Sequence, residues 1–311
     1  MVKRLLISLA LWLGVNIAAH AETAQMDITS GDVYRSLIKL SDDVNTIRLE
    51  MGIEQHAIPA MEVYDAQPRE VYFQAQTVFE KLSRLHFDLL RDRPKPPQIV
   101  TADATSGDVL ALIQQADALV TSIYRYMNIS SNVPNPDIDT YTQKTPTDVY
   151  ILMIGLSRVL NGMIDHQFSP AEAYQQVTYA VSIASTILLE KGVHQAMGDT
   201  SIPLEPRKTP TDVYRQLITV NNRIHQVINH HNGTCLTLGE AETHRTGVNP
   251  GDVYDLASLV VAELSYLRNL INTSSAPHAP YYPGKKWPSH VYQRVSQLES
   301  QIKHMLAGVK S

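Results

Sequence analysis

One short phrase opens a helix eight times in this chain, and it constrains the fold more than any other feature. Its clearest copies are Thr145-Pro146-Thr147-Asp148-Val149-Tyr150, Thr209-Pro210-Thr211-Asp212-Val213-Tyr214 and Asn249-Pro250-Gly251-Asp252-Val253-Tyr254. Weaker copies end at Tyr34, Tyr72, Leu110, Tyr174 and Tyr292. The leading Thr, Ser or Asn offers a side-chain oxygen to a free N–H of the first turn. Proline follows at the first helical position, where its missing N–H costs nothing and its φ is already helical. The acid three residues after the cap reaches back to the cap N–H and faces the positive end of the helix dipole. The copies at Ser30 and Ser106 carry Ser in place of Pro, and Trp287-Pro288-Ser289-His290 has neither cap nor acid, so it is expected to be the least sharply capped. Of 17 prolines, Pro68, Pro146, Pro170, Pro210, Pro250 and Pro288 take this first position and the rest fall between helices. None interrupts a helix interior, where each would cost about 3 kcal/mol.

The spacing of the phrase sets the larger organisation. Its last residue stands at 34, 72, 110, 150, 174, 214, 254 and 292, giving intervals of 38, 38, 40, 24, 40, 40 and 38. Three long intervals, one short and three long describe two tetrads joined at the middle. After each motif Val or Ala, apolar residues recur at +4, +7, +11 and usually +14: Val33, Leu37, Leu40, Val44 and Ile47 in the first copy, Val213, Leu217, Val220, Ile224 and Val227 in the sixth. The third copy (Val109, Ile113, Ala116, Val120, Ile123) and the eighth (Val291, Val295, Leu298, Ile302, Met305) follow the same register. A heptad seam of this kind predicts shallow, left-handed bundle packing. Apolar neighbours such as Ile38, Phe79, Ile154 and Ile218 widen the stripe toward a globular bundle. The helix around Ile151 to Ile164 is apolar almost all round and is expected to be the most buried.

The expected helices cover 30–51, 68–91, 106–128, 146–166, 170–192, 210–231, 250–272 and 288–308. A linker of about 16 residues extends to roughly 50 Å and can run back along a whole helix, so helices within a tetrad are expected to be parallel. The tight turn Gln167-Phe168-Ser169 makes the fourth and fifth antiparallel. The fold class is therefore all-α: a helical repeat protein of eight long helices, in two four-helix bundle-like units (22–168 and 169–311) related by pseudo-twofold symmetry. Up-down packing with short extra helices in the linkers is the competing topology.

Residues 1–21 read as a cleaved signal peptide: Lys3 and Arg4 precede an apolar run from Leu5 to about Val15, and Ala19-His20-Ala21 forms a small-x-small cleavage site before Glu22. The expected location is periplasmic or secreted, with no membrane span in the mature chain. Losing Lys3 and Arg4 takes the net charge from −5 to −7, which argues against a nucleic-acid partner. The single cysteine, Cys235, excludes an intramolecular disulfide framework.

The motif residues are the repeat's own candidates for a site: Tyr34, Tyr72, Tyr150, Tyr174, Tyr214, Tyr254 and Tyr292, with Asp32, Asp108, Asp148, Asp212 and Asp252. The structural reading packs each ring beside its motif Val and bonds its hydroxyl to a linker or cap. The functional reading gathers them around a ligand at one end of a bundle, where helix N-termini favour an anion and the aspartates oppose one. His225, His230, His231, Cys235 and His244 are the nearest approach to a metal set, but their spacing fits no compact site, and no metal or cofactor is assigned. No G-x-S-x-G, P-loop, H-E-x-x-H or C-x-x-C-H occurs, and Glu172 and the motif acids are accounted for as caps. Arg48, Arg84, Arg158, Arg223 and Arg268 lie mid-helix at differing offsets and read mostly as flanking charges, with one or two available as core partners. Arg91 to Pro97, and Gly284-Lys285-Lys286-Trp287 with Tyr281 and Tyr282, read as surface loops, the latter a possible contact patch for a protein or glycan. Asn128, Asn232 and Asn272 head glycosylation sequons. The first functional expectation is a non-enzymatic exported scaffold or protein-interaction module, binding a protein partner or itself. The alternative is a small-ligand-binding or sensory bundle, with its ligand between helices or between tetrads near the motif tyrosines.

Overall fold

The computed structural model describes residues 28–54, 61–97, 103–130, 138–164, 168–193, 202–279 and 281–309. The segment read as a signal peptide and Gln167 lie outside them. The protein is all-α: eight long helices, α1 (Ser30–Glu50), α2 (Pro68–Leu90), α3 (Ser106–Met127), α4 (Pro146–Met163), α5 (Pro170–Glu190), α6 (Pro210–His230), α8 (Pro250–Leu270) and α9 (Pro288–Val309), with a short α7 (Glu240–Thr243) in a linker. One 3-10 turn (Ile138–Tyr141) and a two-residue antiparallel ribbon, β1 (Val63–Tyr64) on β2 (Thr237–Leu238), complete the described residues. None of the described helices is long and apolar enough to cross a membrane.

The caps form as the phrase demands. Asp32, Asp108, Asp148 and Asp212 each accept from the backbone N–H of the Thr that opens their helix, at 2.8–2.9 Å. Each of those Thr hydroxyls in turn accepts from the acid's own N–H at 3.3 Å. Glu70, Glu172 and Asp252 serve the same role for Gln67, Ser169 and Asn249. At α9 the missing acid is replaced by an imidazole: Trp287 donates its N–H to His290 Nδ1 at 3.1 Å. That end is therefore better capped than its sequence suggests. The sequon residues Asn128, Asn232 and Asn272 take φ of 54°, 58° and 54° at or just past helix ends. Asn tolerates the left-handed conformation that closes a helix, so all three have a backbone role.

Contacts sort the long helices into two closed rings. α1 packs on α3 and α4, and α2 on the same two; α5 packs on α8 and α9, and α6 on the same two. Within each ring the helices run parallel. Between α1 and α3, Lys39 meets Asp117 and, higher up, Tyr124 reaches Asp43. Between α6 and α9, Gln216 meets Ser296 and then Arg223 meets Glu299. The first residues and motif valines of α1 to α4, from Ser30 and Val33 to Pro146 and Val149, line one space of about 10 Å³. Long linkers make this possible, since a parallel neighbour requires the chain to return along a full helix.

The rings meet through α8, which touches α2 and α4. Here the contacts descend as they climb: Arg69 stacks on Tyr266 at the start of α2, whereas Glu80, further on, meets Tyr254 at the start of α8. α2 and α8 are antiparallel. Gly251 lets the start of α8 approach α4, because a Cβ there would fall 2.5 Å from Asn161 Oδ1. The four quoted seams are buried throughout, Leu37, Leu40, Val220 and Leu298 completely, in one core that runs across both rings. The most buried helix is α8, with 14 of 21 residues inside, against 9 of 18 in α4. Apolarity all round suggested α4, but Ile151 stays 38% exposed. α8 is enclosed because four long helices surround it.

Candidate functional site

The junction around α8 concentrates buried charge. Lys81 on α2 is wholly buried, and its Nζ donates to Asp255 Oδ1 and Oδ2 at 2.8 and 3.0 Å and to Ser157 Oγ at 2.6 Å. Ser157 on α4 donates in turn to the same carboxylate at 3.1 Å. Three helices from two rings thus share one ion triad. Burial pushes the Lys81 pKa down, and the Asp255 charge opposes that shift. A serine and a lysine at this distance have the makings of a nucleophile and base, yet both are sealed from solvent and the lysine is committed to a carboxylate.

α7 supplies a second cluster. It turns Glu242 inward, where Tyr214 donates its hydroxyl at 2.6 Å and Arg158 and Arg245 approach at 3.4 and 3.8 Å. Arg245 also pairs with the motif acid Asp252 at 2.9 Å. A third cluster lies toward the other end of α8. Glu263 accepts from the Leu236 N–H at 3.1 Å, with His225 Nε2 3.8 Å away, and its second oxygen has no hydrogen-bond partner among the described atoms. Glu70 stands near it, 2.6 Å from Arg69 Nε. Burial lifts the Glu70 pKa to about 7, with Arg69 opposing. Burial, reinforced by Glu70, raises Glu263 well above the usual carboxyl range. Burial also depresses His225 to about 4, and burial beside Glu263 pushes Cys235 up to about 12. A thiol so placed is protonated and inert.

Beside these sealed groups an open trough of about 660 Å³ runs between α2 and α5, with α8 as its floor. The floor is one face of α8: Tyr254, Ser258, Val261, Ser265 and Arg268. Phe73, Gln76 and Glu80 of α2 form one wall and Gln176, Tyr179 and Ile183 of α5 the other, under a rim of Pro94, Pro96, Pro97 and Pro277. A second cleft of about 640 Å³, lined by Phe87, Asp88, Arg93 and Tyr282, shares Ser83, Arg84 and Pro94 with it.

The repeat's tyrosines are not gathered around one space. Tyr72, Tyr150 and Tyr214 are buried. Tyr34 packs on Tyr141, Tyr174 accepts from Arg294, Tyr254 donates to Glu80, and Lys208 covers Tyr292. Leu110, the one copy without Tyr, is half-buried against the core. The opening between the N-termini of α1 to α4 would hold about one water. The histidines are also dispersed. His225 is inside, His230 and His231 pack on one another at the end of α6, and His244 is exposed beside Glu240. Among the described residues no three His, Cys, Asp or Glu meet as a metal site. Of the mid-helix arginines, Arg48 and Arg158 enter the interior. Arg84 lies on the Phe168 ring and pairs with Glu172, Arg223 pairs with Glu299, and Arg268 donates to the Ser275 carbonyl. In the last linker, Tyr281, Tyr282 and Trp287 are 69, 70 and 55% exposed.

Sequence reasoning missed Lys81, Asp255, Glu70 and Glu263 as a buried set. One regularity pointed to part of it. In four of the eight copies the residue ten after the motif Val is polar and buried, Asp43, Lys81, Glu263 and Gln301, whereas the other copies carry Leu119, Val159, Ile183 and Arg223 there. No protein-family model matches this chain, and no curated protein or solved structure is significantly similar to it.

Proposed function

We propose that this is a non-enzymatic exported binding module, built from two duplicated four-helix units (22–168 and 169–311) related by a pseudo-twofold axis, and that it holds a small ligand between the units. The observation that carries this reading is the trough over α8, whose volume of about 660 Å³ falls within the range of small-molecule sites. It combines aromatic walls with a few polar groups and incorporates one motif tyrosine, Tyr254. The buried ion clusters are then framework: they fix how the rings meet and leave the trough open. The repeated capping acids are read the same way, since each is occupied at a helix start.

A second reading keeps the chain as a scaffold for a protein partner or for itself, and the exposed Tyr281, Tyr282 and Trp287 favour it, because aromatic residues are enriched at interfaces. Native mass spectrometry of the mature protein purified from its own periplasm or medium, repeated after denaturation, separates the two. Extra mass lost on denaturation supports the ligand reading. A bare chain mass supports only the scaffold, and multiples of it indicate self-association.

A further inference from the structure

We propose that the trough between α2, α5 and α8 binds an organic cation with an aromatic or extended apolar body, anchored through its ammonium or guanidinium group on Glu80; this rests on the reading of the trough as a ligand site. The argument is one of charge. The cations around the trough are already engaged. Lys81 lies beneath it, locked to Asp255 and Ser157. Arg84 is stacked 3.7 Å from the Phe168 ring centroid and paired with Glu172. Arg268, at the far end, gives Nε and Nη2 to the Ser275 carbonyl at 3.1 and 2.7 Å.

Glu80 differs from these groups. It faces the open space and accepts one hydrogen bond, from the Tyr254 hydroxyl at 2.7 Å. No salt bridge joins it to a described cation. Summed over Lys81, Asp255, Arg84, Glu172 and Glu80, that end of the trough carries one net negative charge. The side chain is exposed to solvent, yet the protein around it raises its pKa by desolvation, against the opposing pull of the Tyr254 hydroxyl and of Arg84 and Lys81 nearby, as expected at the bottom of a concavity. An incoming cation would gain from a carboxylate in a partly dehydrated place. Phe73, Tyr179 and Tyr254 offer π faces and edges for the body or the charge. The floor from Tyr254 to Arg268 covers 14 residue-to-residue steps, about 21 Å, so a ligand longer than a simple amine fits.

The test uses three ligands of nearly equal shape: tryptamine (cation), tryptophol (neutral) and indole-3-acetate (anion). Each is titrated by calorimetry into the mature full-length protein, into Glu80→Gln, and into Gln76→Trp, which fills the trough from the half-buried wall of α2. The expected result is that tryptamine binds about ten-fold more tightly than tryptophol, the effect of one charge-assisted hydrogen bond. Glu80→Gln should remove that preference, and Gln76→Trp should abolish binding of all three. Glu80→Gln alters an exposed group, so its melting temperature should match the wild type. Equal binding of cation and neutral ligand, or preference for the anion, overturns the cation assignment and leaves the trough as a site. Absence of binding by all three, or binding unchanged in Gln76→Trp, overturns the trough reading as well.

Discussion

Replacing Lys81 by methionine tests how the two rings are joined. In the wild type, Lys81 is fully buried and its ammonium touches Asp255 at 2.8 Å and Ser157 at 2.6 Å. Lys81→Met keeps the aliphatic bulk and leaves the Asp255 carboxylate, itself only 5% exposed, with Ser157 and a 3.5 Å contact from Gln74. An abandoned buried charge costs about 3–5 kcal/mol. Asp255→Leu should cost less, because Lys81 already has a lowered pKa and can shed its proton. In the double variant no charge is stranded, and apolar replacement of a buried pair is often neutral or stabilising by about 1–4 kcal/mol. The cycle should therefore show strong favourable coupling, several kcal/mol beyond additivity. Urea titration followed by far-UV circular dichroism measures all four proteins, with midpoint and slope read separately. A fall in slope for Lys81→Met would indicate that the rings no longer unfold together. If Lys81→Met costs under about 1 kcal/mol, or the double variant equals the sum of the singles, the triad does not hold the junction and the argument fails.

Three further predictions rest on the structure and a fourth on the sequence. Burial raises Glu70, to about 7, and Glu263 above the unfolded value of 4.5, so their contribution is complete below pH 4.5 and is lost as pH rises through their folded values, about 7 for Glu70. His225, depressed from 6.5 to about 4, acts oppositely, and with two carboxyls against one imidazole stability should fall as pH rises from about 4.5 toward 6.5. Glu263→Gln should flatten that profile in pH-dependent urea melts, and a wild-type profile rising across this window would refute the assignment. Thr209→Ala removes one hydroxyl from a cap with partners at 2.7 and 3.3 Å and should cost about 1 kcal/mol. Leu37→Ala, at a fully buried seam position, should cost about 2–5 kcal/mol by thermal or urea denaturation. N-terminal sequencing of the exported protein should begin at Glu22; a start at Met1 would remove the signal-peptide reading.

The helix starts, the heptad register and the seams were legible because their causes are local. A capping Thr, a proline and an acid act within one turn, and a 3.5-residue apolar period must bury itself against something. The linker lengths also permitted parallel neighbours before any contact was known. The cap at His290 escaped notice because an imidazole accepts a hydrogen bond like a carboxylate but is not counted as one. Three features depended on tertiary structure. The enclosure of α8 follows from where one ring docks on the other, not from its own apolarity. The pairing of Lys81 with Asp255 joins residues 174 apart in sequence, and Asp255 sits at an offset where other copies carry Arg35, Phe73 or Ile151, so no repeat pattern exposes it. The trough exists because α2 and α5, joined at one end by Arg84 and Glu172, stand apart further along over α8. An absence of packing between two helices leaves no trace in the periodicity of either one.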